Sequence, residues 1–263
     1  MPPASTRGDS TTNSWPFPPD TRRVQLDEKW SFVGCKQKHC DPDDEADWFR
    51  GDQWDHVAFD PDSRLVLEVL VGKRLDTTAE LLLERLKSRL GGAAPALVTS
   101  DGYAVYQEVL LAVFGEEVTP PRTGKPGRPA GPRREPPAGM CYGRVVKHKK
   151  QGRVERVETE VVFGEQPEGE AISTSYLERQ NATDRHRNGR KGRKTYRFSK
   201  DWETHAAMTA FTMYSYNFCW AVRTLRVKDE QGRWQPRTPA MVAGLADHVW
   251  SLQEWLTLPA VQH

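Results

Sequence analysis

Alternating hydrophobic and polar positions predict three β-strands at the start of the folded chain. The first run, VQLDEKWSFVG, begins at Val24 and is rich in β-branched and aromatic residues. Two more runs of this kind cover residues 55–60 and 64–72, and the turn sequence Pro61-Asp62-Ser63 joins them. Because sequential strands usually pair with their neighbours, we expect an antiparallel meander.

Helical spacing follows the third strand. The run TTAELLLERLKSRLGG begins at Thr77 and repeats leucine at the intervals of an amphipathic helix. Thr77 or Thr78 is expected to be the N-cap, and Gly91-Gly92 is expected to end the helix.

A short apolar run over residues 95–100 predicts a fourth strand. This strand would deliver Asp101 at its carboxyl end, where Gly102 would permit a sharp turn. A second helix is predicted over residues 103–114.

A basic segment separates these elements from the C-terminal helices. Residues 119–138 are rich in Pro, Gly and Arg, and two β-like runs then flank Gln151-Gly152, as in a hairpin. We interpret about 119–170 as a basic β-hairpin insertion. Within it, KPGRP at 125–129 resembles an AT-hook core, although an unspecific flexible linker is the alternative.

Two further helices are predicted near 174–187 and 202–226, the second with apolar residues at helical spacing. Residues 1–20 lack apolar periodicity and are expected to be disordered. We therefore expect one folded domain over 21–256, followed by a short tail at 257–263. The order of elements predicts an α/β, RNase H-like fold: a mixed sheet of three antiparallel strands and a parallel fourth, flanked by helices.

Charge is balanced over the whole chain, at a net +2, but not along it. Residues 122–156 contain eleven Lys and Arg against two Glu, and residues 179–200 contain nine against the single Asp184. Such basic segments favour a polyanionic partner, because a nucleic acid offers many phosphate contacts at once.

The four cysteines do not suggest a disulfide framework, and no apolar run is long enough to cross a membrane. We therefore expect a cytoplasmic protein that does not bind membranes. Cys35, His39 and Cys40 are closely spaced soft ligands, but a fourth zinc ligand is not obvious. His205 is expected either to pack in the core or to face a site.

Three acids fall where the predicted sheet and helices would bring them together: Asp27 in the first strand, Asp101 after the fourth, and Glu178 on the third helix. An acid inside an apolar strand must be paired or bound to a metal, because a lone buried charge is costly. Clustered carboxylates suit Mg²⁺, or Mn²⁺ in its place, in phosphodiester chemistry. Glu28 would face the opposite side of the sheet, in a structural or solvated role.

Several runs of the chain resemble a known family. LVGKRLDTTAELL, TSDGYAVY, TSYLERQNATDRHRNGRKGRKTYRFSK, YNFCW and TPAMVAGLADHVWSLQEWL, together with the first strand, resemble DDE transposases of the insertion-sequence-one type. The resemblance covers nearly all of the chain from Val24 to Leu256. It implies that Asp27, Asp101 and Glu178 are the catalytic, metal-binding acids.

The resemblance also implies the partners. Double-stranded DNA, both transposon ends and target, would be bound by a homo-oligomer. Side chains near Glu178 would contact its phosphates: Arg179, Asn181, Arg185, Arg193 and Lys194. The family's N-terminal zinc-ribbon and helix-turn-helix region is not matched, which leaves a separately encoded DNA-recognition protein or a truncated copy as explanations.

Two other functions fit the same sequence. A stand-alone RNase H-like nuclease would cut DNA without joining it. A DNA-binding remnant that regulates a full-length transposase would bind DNA without any metal-dependent turnover.

Overall fold

A computed structural model describes residues 20–120, 131–192 and 194–257. The predictions for residues 1–19, for the KPGRP motif, for Arg193 and for most of the tail lie outside these ranges. The strands are β1 (Arg23–Val33), β2 (Gly51–Asp60), β3 (Leu65–Gly72), β4 (Leu97–Ser100), β5 (Glu116–Val118), β6 (Arg133–Glu135), β7 (Cys141–Lys150), β8 (Arg153–Phe163), β9 (Val227–Lys228) and β10 (Trp234–Gln235). The helices are α1 (Asp76–Arg89), α2 (Val105–Phe114), α3 (Ser175–Arg187), α4 (Trp202–Cys219), α5 (Pro239–Val242) and α6 (Leu252–Thr257).

A six-stranded mixed sheet in the order β3-β2-β1-β4-β7-β8 forms the centre of the protein. The strands β1, β2 and β3 are antiparallel neighbours, and β4 is parallel to β1, so the predicted meander and parallel fourth strand are confirmed. Two small two-stranded sheets, β5-β6 and β9-β10, lie outside it.

The sheet is packed on both faces because its central strands carry apolar residues on both. On one face Val24 and Leu26 of β1 pack with the buried side of α1, whose Ala79, Leu82, Leu83 and Leu86 recur at helical spacing. On the other face Val57 and Phe59 of β2 pack against α3 and α4. Neighbouring residues of one strand therefore face different helix layers.

The hairpin predicted around Gln151-Gly152 is present as β7 and β8, but it is not an appendage. The strand β7 is parallel to β4, with Leu97 opposite Cys141 and Ser100 opposite Arg144. Its first residues are buried, whereas its last four are exposed. The interpretation of about 119–170 as an insertion therefore needs correction: β7 belongs to the central sheet, and only the far end of the hairpin projects from it.

Two local predictions are also wrong, those for the N-cap of α1 and the end of α4, and the turn at Gly102 does not depend on glycine. The N-cap of α1 is Leu75, without a side-chain cap, rather than Thr77 or Thr78. A side chain at Gly102 would meet no atom within 4 Å, and its backbone is not left-handed, so the turn after β4 does not require glycine there. The helix α4 ends at Cys219 instead of continuing to residue 226, because Val222 turns away to bond with the backbone of Arg237.

A buried side chain of α4 closes one edge of the sheet. The outer strand β3 turns the backbone N–H and C=O of Val66 outward, where they bond to the Asn217 side chain at 2.9 and 2.8 Å. Tyr214 accepts from the backbone N–H of Val69 at 3.4 Å. These contacts explain the polar residues of an otherwise apolar helix, since they satisfy backbone groups that an edge strand leaves unpaired.

Among the described helices, none has both the length and the apolar composition needed to span a bilayer.

Candidate active site

Adjacent parallel strands bring Asp27 and Asp101 together. Leu26 of β1 lies opposite Ser100 of β4, so the two acids occupy the next position on each strand. Both acids are partly buried. Because side chains alternate between the two faces along each strand, residues at matching positions of the two strands face the same side of the sheet. Gln25 and Thr99, two positions earlier on each strand, both bond to the backbone of Ser173, just before α3. The two carboxyl groups therefore lie on the α3 face.

Electrostatic repulsion between these two acids affects the pKa of Asp27. Burial raises the pKa of Asp27, and the nearby charge of Asp101 raises it further. A hydrogen bond from Asn181 lowers it in part, since the Asn181 amide donates to Asp27 at 2.7 Å. The pair is therefore a site of concentrated negative charge that a cation would stabilise.

Glu178 lies in the first turn of α3, the helix that covers these two acids. Its charge contributes to the raised pKa of Asp27, which places Glu178 within electrostatic range of Asp27. Its carboxylate, however, accepts hydrogen bonds from Lys147 of β7 and from Thr174, the latter at 2.7 Å. Burial raises the pKa of Glu178, but these two partners outweigh it and the pKa is lowered.

These positions can be tested against a magnesium site. Within the described residues, no three His, Cys, Asp or Glu side chains form a group that could hold a metal ion. The carboxylates of Asp27 and Asp101 are close enough for the charge of one to raise the pKa of the other, whereas the carboxylate of Glu178 is paired with Lys147. The buried Oδ1 of Asn181, next to Asp27, is also without a hydrogen-bond partner in the described structure. The residues fit Mg²⁺ in chemical type, and Glu178 would have to turn away from Lys147 to join the other two.

The residues expected to contact DNA divide into two groups. Arg179 and Lys194 are exposed and Arg185 is partly exposed, so all three can reach a ligand. Asn181 is only 4 % exposed and donates to Asp27, so the helix turns it inward, where it orients a carboxylate.

Glu28 faces the other side of the sheet, as predicted, and its role is structural. It is buried, with Tyr106 of α2 donating to one oxygen and Arg74 donating to the other at 3.0 Å. Burial raises its pKa to about 7, and the charge of Asp101 contributes to the increase. Tyr106 was not anticipated from the sequence, because its partner lies 78 residues away.

Behind the site, four buried charged residues hold α3 against the sheet. Lys29 lies on β1, and Asp55 lies opposite it on β2. Asp184 comes from α3, and Lys191 comes from the turn that follows it. Lys29 bonds to Asp184 and lies 3.1 Å from Asp55, which also pairs with Lys191. The two charges of each sign balance, so the cluster is neutral as a whole. The lysine and aspartate inside apolar strands were its only signal in the sequence.

Two other predicted features have clear outcomes. His205 is fully buried, bonds to Ser31 and Ser199, and has its pKa lowered to about 4 by burial, so it packs in the core and does not face the site. The sulfur atoms of Cys35 and Cys40 lie 3.2 Å apart, and His39 lies in an exposed 3-10 turn beside them. No third ligand completes a zinc site in the described residues.

Comparison with known proteins finds no protein family whose profile matches the chain and no curated protein with significant similarity to it.

Proposed function

We propose that this protein is the catalytic domain of a DDE-type DNA transposase with an RNase H-like fold. In this proposal it cleaves DNA strands at the ends of a mobile element and joins the freed 3′ ends to target DNA. The observation that carries the proposal is the pairing of Asp27 with Asp101 at the junction of two parallel strands, under a helix that bears Glu178.

The sequence of elements supports the fold part of the proposal. An RNase H-like core joins its first and fourth strands in parallel, and β1 and β4 are paired in this way. The resemblance of the runs around Asp27, Asp101 and Glu178 to insertion-sequence-one transposases supports the reaction part.

Asp27 and Asp101 would hold Mg²⁺, with Glu178 as a third ligand. When bound, the metal would polarise the phosphodiester and make a water or a 3′-hydroxyl a better nucleophile. Asn181 keeps the Asp27 carboxylate in one orientation, which preserves the geometry that the reaction requires. Lys147, on the rim of the site, is placed to meet a phosphate once Glu178 leaves it.

A cleavage and joining assay tests the proposal. The substrate is a plasmid that carries the gene of this protein with its native flanking DNA, incubated with Mg²⁺ or Mn²⁺. We expect strand cuts at the flanks and joined products from the parent protein, and neither from Asp27→Asn, Asp101→Asn or Glu178→Gln. The matched control is Glu160→Gln, an exposed carboxylate on β8 that should leave the reaction unchanged.

Each alternative outcome has a defined meaning. Cuts without joined products would favour a stand-alone nuclease. Binding of the DNA with no metal-dependent product would favour a regulatory remnant. Normal cutting by any of the three acid variants would remove that residue from the catalytic site.

A further inference from the structure

A second candidate site lies at the opposite end of α3 from Glu178. It is an open groove of about 480 Å³, which we call the basic groove. Its walls come from the end of α3, the turn that follows it, the segment before α4, and α4 itself. It is lined by Arg187, Asn188, Gly189, Arg190, Tyr196, Arg197, Phe198, Lys200 and Met208.

Four cations and no acid line the basic groove. Arg187 is fixed in the wall, because it donates to the backbone of Thr212 at 3.0 Å and lies over the Trp220 ring. Arg190, Arg197 and Lys200 form no ion pair with any acid in the described part of the chain. Their uncompensated charge suits phosphate groups, which arginine binds through paired N–H donors.

An aromatic ring stands in the same groove. Tyr196 is 96 % exposed, the highest value among the exposed large hydrophobic residues described. Phe198, two residues on, is anchored against Phe32 with ring centres 4.8 Å apart, and the Lys200 ammonium lies over its ring. A fully exposed ring between cations is the arrangement that stacks on an unpaired base while the cations hold the backbone.

A buried polar group gives independent support. Asn188 is 3 % exposed, and its side-chain oxygen accepts from the backbone N–H of Arg190 at 3.2 Å. Its amide nitrogen has no hydrogen-bond partner in the described structure. An unsatisfied buried donor is unfavourable, so an acceptor on a ligand in the groove would stabilise the protein.

We propose that the basic groove binds an unpaired nucleotide of a single DNA strand, with Tyr196 stacked on the base and Arg190, Arg197 and Lys200 on the flanking phosphates. A duplex could contact the cations but would offer no unpaired base to the Tyr196 ring, because its bases are already stacked on one another. The choice of DNA as the polymer rests on the proposed function. Arg187 lies nine positions after Glu178 on α3, or roughly 14 Å along the axis, so the strand would be held near the carboxylates.

The binding of labelled oligonucleotides tests the inference. Fluorescence anisotropy is measured with a single-stranded oligothymidylate and with a blunt duplex of equal length, in EDTA so that no cleavage occurs. We expect Tyr196→Ala to weaken single-strand binding by about tenfold or more, since one stacked base contributes about 1–3 kcal/mol. Duplex binding should change less than about twofold, and Tyr196→Phe should behave like the parent.

Two further variants complete the design. Trp48→Ala removes an exposed ring that follows the Asp and Glu residues of the segment between β1 and β2, and it should leave both affinities unchanged. Arg197→Ala should weaken single-strand binding and flatten its salt dependence.

The outcomes that would contradict this inference can be stated in advance. An equal loss of duplex and single-strand binding on Tyr196→Ala, or no loss at all, would overturn the inference. If the parent protein fails in the cleavage assay but binds the single strand with the expected dependence on Tyr196, the proposed function is rejected and the groove is not. Intact cleavage with no selective loss of single-strand binding would reject the groove alone.

Discussion

Asp27 and Glu28 are adjacent in β1 but belong to different environments. Asp27 faces α3 and bonds to Asn181, whereas Glu28 faces α2 and bonds to Tyr106 and Arg74. Burial is the largest cause of the raised pKa in both, and the charge of Asp101 raises both further. The two acids can therefore be separated experimentally, because only Asp27 faces α3 and the proposed metal site.

The first prediction concerns Glu28 and pH. Its folded pKa of about 7 is above the usual 4.5, so the protonated form is favoured in the folded protein. Its stabilising effect is complete below pH 4.5 and is lost as pH rises through 7. Glu28→Gln, which is neutral at every pH, should therefore gain about 2 kcal/mol in unfolding free energy relative to the parent between pH 5 and pH 8.

Urea unfolding at the two pH values measures this difference. The exposed Glu160→Gln is the control and should show no such change with pH. If the difference in unfolding free energy between Glu28→Gln and the parent is the same at pH 5 and pH 8, Glu28 does not have a raised pKa in the folded protein.

At the scale of elements, the position of α3 determines whether the three acids can act together. This helix carries Glu178 and Asn181, yet its own composition is mostly polar. It is held by Leu177 in the apolar core and by the buried charges of Lys29, Asp55, Asp184 and Lys191. Charge pairing therefore supplies part of the attachment that a more apolar helix would gain from packing.

The second prediction tests this attachment. Within the described residues, Lys29→Met leaves the buried Asp184 with Thr212 as its one remaining side-chain partner at 2.8 Å. It should lower the unfolding free energy by about 3–5 kcal/mol. The double variant Lys29→Met, Asp184→Leu removes both charges and keeps the pair of Asp55 with Lys191. It should recover part of the loss, because an apolar pair of similar volume replaces a buried ion pair at little cost.

Denaturant unfolding of the parent, single and double variants is the measurement. A double variant that is less stable than Lys29→Met would show that the cluster contributes net stability beyond cancelling charge. The near-ultraviolet circular dichroism of both variants serves as the check that each retains native packing.

The elements could be predicted from the sequence to different degrees. Local patterns gave β1, β3 and the bounds of α1 and α3 nearly as they are, since periodicity and end signals lie within each segment. The place of β7 could not be predicted, because its partner β4 lies about forty residues earlier and its basic end resembles an exposed hairpin. The contact of Lys147 with Glu178 depends on that placement, so it could not be predicted either.

On the scale of the whole molecule, a net charge of +2 conceals separate charged regions. The far end of the β7–β8 hairpin is exposed and basic, and Lys147, which contacts Glu178, lies on the same strand. The loop between β1 and β2 is rich in Asp and Glu. In the order of strands across the sheet, β1 and β2 lie on the other side of β4 from β7 and β8. A long polyanion would therefore be attracted to one region of the protein and not to all of it.

The third prediction tests that asymmetry through salt. Replacing Lys149, Lys150 and Arg153 with alanine should reduce the slope of log affinity against log salt by about 3 for duplex DNA, at about one per lost phosphate contact. Replacing Lys36, Lys38 and Arg50 removes the same charge from the acidic loop and should reduce the slope far less. Equal reductions in the two triple variants would mean that net charge alone controls binding. Anisotropy titrations over a range of salt concentrations measure both slopes.

The bonds from Asn217 to the outer strand affect what happens to shortened forms of the protein. A product that ends before α4 would keep β3 but lose the side chain that occupies its backbone groups. The strand would then offer an open hydrogen-bonding ladder, flanked by apolar residues, to any similar strand. Forms of the protein that lack α4 should therefore aggregate more readily than the full chain.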